Sequence, residues 1–293
     1  MPLTNLLISG ANVSVVVFVV SSTLAVGLGL TVPQILAPLR NVRLVVLSLL
    51  ANFVLAPLAA IGLARVLGLD EPLGVGLLLC GVAAGAPFLI KLADLAKGNM
   101  PFAVGIMVVL MVTTVGYMPI VLPRLVEGVS VDPANIARSL IVLMLIPLAV
   151  GLALRAWHPP SAARVRAVVA PVSSISMVFV VVLTTAGHFR SVLSILGTFG
   201  IVAAVIFTAV CFGIGWVLGG PGADTRGVLS LGTAQRNTAA ALVVAGQNFS
   251  DPRVVVMITV VMIVAFAMLM PLSRVLAGRQ QPGDVRGNAA AAG

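Results

Sequence analysis

Charged residues are scarce in this chain of 293 residues, where Asp, Glu, Lys and Arg together make up 9%. Hydrophobic residues make up 60%, and the mean hydropathy is +1.19. A typical soluble domain has about 25% charged residues, so this composition excludes that class. Apolar runs of about twenty residues recur along the chain, and each is long enough to cross a bilayer as a helix. The sequence therefore predicts an all-α polytopic membrane protein.

Cysteine and histidine are also scarce, with two residues of each. Cys80 and Cys211 stand alone in apolar runs, and we interpret both as small core residues rather than as metal ligands or a disulfide. The sequence contains no visible Ser-His-Asp or Cys-His arrangement and no phosphate-binding loop. These absences argue against an intramembrane enzyme and against ATP-driven transport, and we expect no cofactor.

The basic residues give a net charge of +9. They lie singly or in pairs at the ends of apolar runs, a distribution typical of a protein embedded in a lipid bilayer rather than of one that binds nucleic acid. The sequence therefore predicts the bilayer, and no nucleic acid, as a partner.

Nine apolar segments are separated by short connections that contain most of the Pro, Gly and charged residues. The segments lie near residues 9–30, 44–66, 72–95, 101–123, 136–156, 167–187, 192–219, 226–246 and 253–277. Nine spans place ten Lys and Arg residues on one side and five on the other, which predicts an outside N-terminus and a cytoplasmic C-terminus. We assign residues 1–278 to the transmembrane domain and residues 279–293 to a disordered cytoplasmic tail.

Two of the segments contain residues that interrupt a helix. In the third, Gly85 and Pro87 are followed by Lys91 and Asp94, and proline disfavours a continuous helix because it lacks the amide hydrogen. In the eighth, polar residues cluster around Gly232, where we expect the bend. They are Ser230, Thr233, Gln235, Arg236, Asn237 and Thr238.

The two interrupted segments predict a shared polar centre, because unpaired backbone at membrane depth needs protein or a watery cavity to satisfy it. They occupy corresponding places in two halves, roughly residues 9–125 and 136–277, and the nine-span topology runs them in opposite directions. This pattern is typical of an inverted-repeat secondary transporter with a site near the midplane.

Three stretches resemble the bile acid:sodium symporter family in order and spacing. They are "LANFVLAPL", which is similar to the family's Gln-Phe-x-x-x-Pro helix, "GVAAGAPFLIKLADLAKGN" and "LSLGTAQRNTAAALVVA". The resemblance extends from about Ala25 to Ala277. It implies a bacterial member in the inner membrane, with a panel domain and a core domain whose two broken helices cross at the membrane centre. Family members often have ten helices, whereas nine are predicted here.

The sequence departs from the family where sodium-coupled members hold their ions. Asn52 replaces the glutamine of the Gln-Phe motif. The other corresponding positions are Leu89, Ile90, Ala103, Met107, Ser230 and Ala234. A hard cation prefers oxygen ligands, which most of these side chains lack. The resemblance alone predicts sodium symport, but these residues leave open coupling to sodium through backbone carbonyls, coupling to protons through Asp94 or Lys91, and transport without a coupling ion.

Lys91 and Arg236 stand beside these lost ligands. Our hypothesis is that Arg236, helped by Lys91, permanently supplies the charge that bound sodium supplies in relatives, and attracts an anionic substrate. The planar donor group of arginine suits a carboxylate, sulfate or phosphate. The alternative is structural: Lys91 forms an ion pair with Asp94, and Arg236 caps carbonyls of the unwound crossing.

The sequence thus predicts a secondary-active transporter that moves a small organic anion by alternating access. A sodium symporter that uses backbone carbonyls and an uncoupled channel or receptor-like protein are the alternatives. The candidate substrate-binding or ion-binding residues are Asn52, Pro87, Lys91, Asp94, Gly232, Thr233, Gln235, Arg236, Asn237 and Thr238. The sequence predicts no particular oligomeric state.

Overall fold

The computed structural model describes residues 2–126, 132–187 and 198–279, and every regular element in these ranges is helical. The first half contains α1 (Pro2–Gly29), α2 (Val32–Leu36), a 3₁₀ turn (Ala37–Arg40), α3 (Val42–Leu50), α4 (Ala56–Val66), α5 (Glu71–Val82), α6 (Leu89–Leu95) and α7 (Met100–Leu125). The second half contains α8 (Pro133–Leu140), α9 (Ile146–Trp157), α10 (Pro159–Gly187), α11 (Gly200–Leu218), α12 (Ala223–Ala234), α13 (Thr238–Asn248) and α14 (Pro252–Arg279). Residues 280–293 of the predicted tail lie outside the described residues.

Seven helices in the described ranges are long and apolar enough to cross a membrane. One consists of α3 and α4 joined by a π-helical turn, Ala51–Leu55, and another of α8 and α9 joined by a second π-helical turn, Ile141–Leu145. The pairs α5 with α6 and α12 with α13 are two further apolar segments, each interrupted. The all-helical membrane architecture is confirmed, while the count of nine spans and the inverted repeat stay predictions.

Residues 157–166 lie between two predicted segments and are expected to form a connection. This prediction is wrong, because residues 159–166 are the first part of α10. Proline is well tolerated in a first helical turn, where its missing amide hydrogen would have no helical partner. His158 precedes the helix and caps its first turn, since its Nδ1 accepts a hydrogen bond from the Ser161 amide at 3.2 Å. Pro159 and Pro160 therefore begin a helix.

The helices pack in two groups. In the first, α1 packs along α10 and α9. In the second, α5 packs against α4 and α14, and α11 packs against α12 and α14. In the first group α1 and α9 approach closely, since a Cβ added at Gly151 would lie 2.7 Å from the carbonyl oxygen of Leu24. A cavity between the two groups contains the candidate site.

Candidate functional site

The first interruption separates α5 from α6 at residues 83–88. Gly85 has a φ of +78°, a conformation that residues with a Cβ rarely adopt. A Cβ at this position would also lie 2.6 Å from the Cα of Met111. Thr114 of α7 satisfies the unwound backbone at Ala84: its hydroxyl donates to the carbonyl at 3.0 Å and accepts from the amide at 2.9 Å. The predicted break around Gly85 and Pro87 is confirmed.

The second interruption lies at residues 235–237, not at Gly232, so the expected position of the bend is wrong. Gly232 is inside α12, where a Cβ would lie 2.9 Å from Cδ2 of Leu89. Its small size therefore allows close packing against α6. Asn237 begins the next helix, because its Oδ1 accepts a hydrogen bond from the Ala240 amide at 3.2 Å.

The two interruptions contact each other through Asn237. Its amide donates to the carbonyl oxygen of Ala83 at 3.1 Å. Its Nδ2 donates to the carbonyl oxygens of Ala84 at 3.2 Å and Gly85 at 3.3 Å. One asparagine thus caps α13 and satisfies three carbonyls of the other interruption, and the two breaks share a polar centre.

Arg236 lies at this centre with 0% of its surface exposed. A guanidinium has five N–H donors, and five hydrogen bonds leave this one. Nε donates to Cys80 O (2.9 Å), Nη1 to Asn52 Oδ1 (2.6 Å) and Thr233 O (3.0 Å), and Nη2 to Gly81 O (2.7 Å) and Asn52 O (3.3 Å). The structural alternative, in which Arg236 caps carbonyls, is therefore the role with direct contacts.

The backbone carbonyls of Asn52 and Phe53, on the span formed by α3 and α4, can accept side-chain hydrogen bonds because of Pro57 and the π-helical turn before it. The Ala56 amide donates to Ala51, five residues back, instead of to Asn52. Pro57 has no amide hydrogen and cannot donate to Asn52 or Phe53. The Asn52 carbonyl accepts from Arg236 instead, and the Phe53 carbonyl accepts from the hydroxyl of Tyr117 at 2.6 Å.

Asn52 and Thr233 complete the surroundings of the guanidinium. Nδ2 of Asn52 donates to the Ser48 carbonyl oxygen at 2.9 Å and to the Thr233 hydroxyl at 3.3 Å. The amide is thereby oriented with its oxygen toward Arg236. Both residues are completely buried.

A cavity of about 550 Å³ lies between α1 and α10 on one side and the two interruptions on the other. Seven of the ten candidate residues line it, namely Pro87, Lys91, Asp94, Gln235, Arg236, Asn237 and Thr238. The other three are not among its lining residues. Asn52 and Thr233 contact Arg236, and Gly232 packs near Leu89.

Lys91 and Asp94 are both exposed at the cavity. The ion pairs within the described ranges join Arg253 to Asp70 and to Asp251, so the proposed pair between Lys91 and Asp94 is not formed there. Gln235 is 2% exposed, and its Oε1 has no hydrogen-bond partner in the described part of the chain. Within the described ranges, the cavity therefore presents a cation and a carboxylate without ion pairs and an unpaired amide oxygen.

The positions that correspond to sodium ligands have few oxygen atoms in their side chains. Leu89, Ala103, Met107 and Ala234 are buried apolar residues, and Ile90 lines the cavity. The Ser230 hydroxyl donates to the Arg226 carbonyl oxygen of its own helix at 2.7 Å. Within the described ranges, no group of three or more His, Cys, Asp or Glu residues could hold a metal ion.

Several residues of the site were missed. Arg166, Ser22, Ser173 and Ser174 line the wall opposite the interruptions. Arg166 is far from both interruptions in the sequence, so no sequence signal indicated that it lines the same cavity. Pro57, five residues after Asn52, could have indicated backbone carbonyls without a helical partner on this span. Nothing in the sequence pointed to Thr114 as the residue that bonds the Ala84 backbone.

This arrangement of apolar spans and two interrupted helices that meet at a buried polar centre defines an integral membrane protein. The chain matches the sodium bile acid symporter family over residues 16–195, and it belongs to that family.

Two curated relatives carry transporter names. A probable chloroplastic sodium/metabolite cotransporter, BASS2 of Oryza sativa subsp. japonica, is 26% identical over 80% of this chain and 56% of its own length. The uncharacterised sodium-dependent transporter YocS of Bacillus subtilis is 28% identical over 60% of this chain and 53% of its own length. The chain thus spans about half the length of these relatives.

Proposed function

We propose that this protein is a secondary-active transporter that moves a small organic anion across the membrane by alternating access. The cavity of about 550 Å³, lined by both helix interruptions, is the observation that carries this proposal. Discontinuous helices around a cavity are typical of substrate sites in secondary transporters. Lys91, Arg166 and Arg236 outnumber the single acidic lining residue, Asp94, and favour an anion.

Lys91 and Gln235 are the residues that we expect to contact the substrate directly. The ammonium of Lys91 is exposed at the cavity and suits a carboxylate, sulfate or phosphate. Oε1 of Gln235 is buried and has no donor among the described residues, and a substrate O–H or N–H group would supply one. The first turn of α13 begins at the same wall, where the positive end of its dipole adds to the attraction.

Arg236 acts in this proposal as a resident cation. The five oxygens that accept its hydrogen bonds are ligands of the kind that a hard cation prefers. The guanidinium occupies the space between them. Arginine keeps its charge in proteins. All its donors are engaged, so Arg236 attracts the substrate through its charge across the buried site rather than through a hydrogen bond.

A resident cation makes a bound sodium ion unnecessary at this place. We therefore expect transport without a sodium requirement, as substrate exchange or uniport. By contrast, one relative is named a probable sodium/metabolite cotransporter and the other a sodium-dependent transporter. Asp94 offers a protonatable group at the cavity for coupling to protons, which is the second form of the proposal.

Uptake into proteoliposomes tests the proposal. A panel of carboxylates and sulfates is offered to purified protein with a sodium gradient, a proton gradient or no gradient. We expect uptake that internal substrate accelerates, that sodium does not change, and that falls in Lys91→Gln and Gln235→Leu. Strict sodium dependence would overturn the resident cation, and an absence of acceleration by internal substrate would favour a channel.

Removing the guanidinium gives a sharper test of the resident cation. Arg236→Ala removes the guanidinium donors from five oxygens, of which, among the described residues, only Cys80 O keeps another bond, from the Ala83 amide. The change also opens a space, so we expect a lower Tm that guanidinium or sodium ions at millimolar concentration raise again. Arg226→Ala is the matched control, because that side chain bonds a single carbonyl, Gly220, and is only partly buried. Equal responses of the two variants to added cations would contradict the proposal.

A further inference from the structure

A second cavity, of about 350 Å³, lies beside the first. Gly29, Arg166 and Ala170 line both cavities, so the two are neighbours across the Arg166 side chain. Arg155 lines only the smaller one. The second cavity therefore adjoins the central site.

Two arginines from different helices face this cavity. Arg155 is in the last turn of α9, and Arg166 is in the first half of α10. No acidic residue lines the cavity, and neither arginine forms a hydrogen bond or an ion pair within the part of the chain that the structure describes. Two guanidinium groups without counter-charges give this place a positive potential.

Small side chains keep the space between the arginines open. Ala163 and Ala167 of α10 line the cavity one helical turn apart. Gly29 has no side chain, and a Cβ there would lie 2.8 Å from Nε of Arg166. Arg166 can therefore lie across the end of α1 and reach both cavities.

We propose that Arg155 and Arg166 form a second anion-binding site that receives a carboxylate, sulfate or phosphate group beside the central cavity. This inference rests on the proposed function in one respect, since it makes the site an entry or exit position for the transported anion. The fork of N–H donors on each arginine matches an oxyanion. A lipid phosphate has the same chemistry and is the other source of such a ligand.

A cysteine at Ala167 reports on this site without any transport. Cys80 and Cys211 are completely buried, so they give little background reaction with water-soluble thiol reagents. In Ala167→Cys at low salt, we expect an anionic methanethiosulfonate to react at least about 10-fold faster than a cationic one. Arg155→Gln with Arg166→Gln should abolish this preference. Arg164→Gln is the matched control, because Arg164 is exposed on the same helix and lines neither cavity.

Adding sulfate or an anionic lipid distinguishes the two possible ligands of this site, a free anion and a lipid phosphate. In phosphatidylcholine nanodiscs, millimolar sulfate should slow the reaction of Ala167→Cys only while both arginines are present. An equal reagent preference in the Arg164→Gln and double variants, or a lack of protection by sulfate, would overturn the site. Protection that disappears when phosphatidylglycerol is added would assign the site to lipid and overturn its role in entry.

The transport test uses Arg155→Gln in phosphatidylcholine proteoliposomes, because Arg155 lines only the smaller cavity. This change should raise KM about 10-fold with kcat unchanged, since Arg155 increases the local concentration of the anion. An unchanged KM would overturn the entry role. Because the reagent rates require no transport, failure of the proposed function and failure of this site are distinguishable.

Discussion

Arg236 bonds Asn52 at two points, with Nη1 donating to the side-chain Oδ1 at 2.6 Å and Nη2 donating to the backbone carbonyl oxygen at 3.3 Å. The two residues are 184 positions apart in the sequence. The single arginine of the second interruption is thus fixed on the π-helical turn of the second span.

Replacing Asn52 by Leu should lower the free energy of unfolding by about 1–3 kcal/mol, because one N–H of Arg236 loses its buried acceptor. A thiol-reactive dye measures the Tm, since Cys80 and Cys211 are buried until the protein unfolds. Asn52→Asp is the control, because it keeps an oxygen toward the guanidinium. Equal Tm values for wild type and Asn52→Leu would contradict the geometry.

Replacing Thr114 by Val should also destabilise the protein, by about 1–3 kcal/mol, because the buried Ala84 amide loses its acceptor. Valine has nearly the same shape, so packing changes little. Thr114→Ser keeps the hydroxyl and should retain most of the stability. The same dye assay ranks the three proteins, and Thr114→Ser falling as far as Thr114→Val would show that the methyl group matters instead.

Gly85→Ala should prevent folding or lower the Tm more than any other single change proposed here. The added Cβ meets the Met111 backbone, which cannot move without shifting α7, and the φ of +78° is strained for alanine. Gly116→Ala is the control: Gly116 lies on α7, the helix that contains Met111, and a Cβ there meets nothing within 4 Å. Size-exclusion profiles and Tm compare the two, and a well-folded Gly85→Ala protein would refute the assigned conformation.

Asp251 should make stability depend on pH. Hydrogen bonds from Arg253, at 2.8 and 3.2 Å, lower the pKa of the Asp251 carboxyl below its ordinary value. Its contribution is therefore present above the ordinary pKa and is lost as the pH falls through the lowered one. Asp251→Asn should have a lower Tm than wild type at pH 7, and the difference should shrink toward pH 3. A difference that stays constant with pH would exclude this source.

The sequence was sufficient for the helical membrane architecture and for both interruptions, because apolar length, proline and a cluster of polar residues are local signals. It placed the second bend at Gly232, since glycine flexibility suggests a bend, whereas Asn237 determines the helix start through its side-chain cap. Seven of ten candidate residues line the cavity. Arg166 and Thr114 could not be predicted, because their contacts depend on how distant helices pack.

The hydrogen bonds of Arg236 also have a mechanical consequence. They join the π-helical turn, the end of α5 and the end of α12 through a single side chain. We expect these three parts to keep their relative positions in the proposed transport cycle. Movement is then expected where α1 and α10 face the interruptions across the cavity.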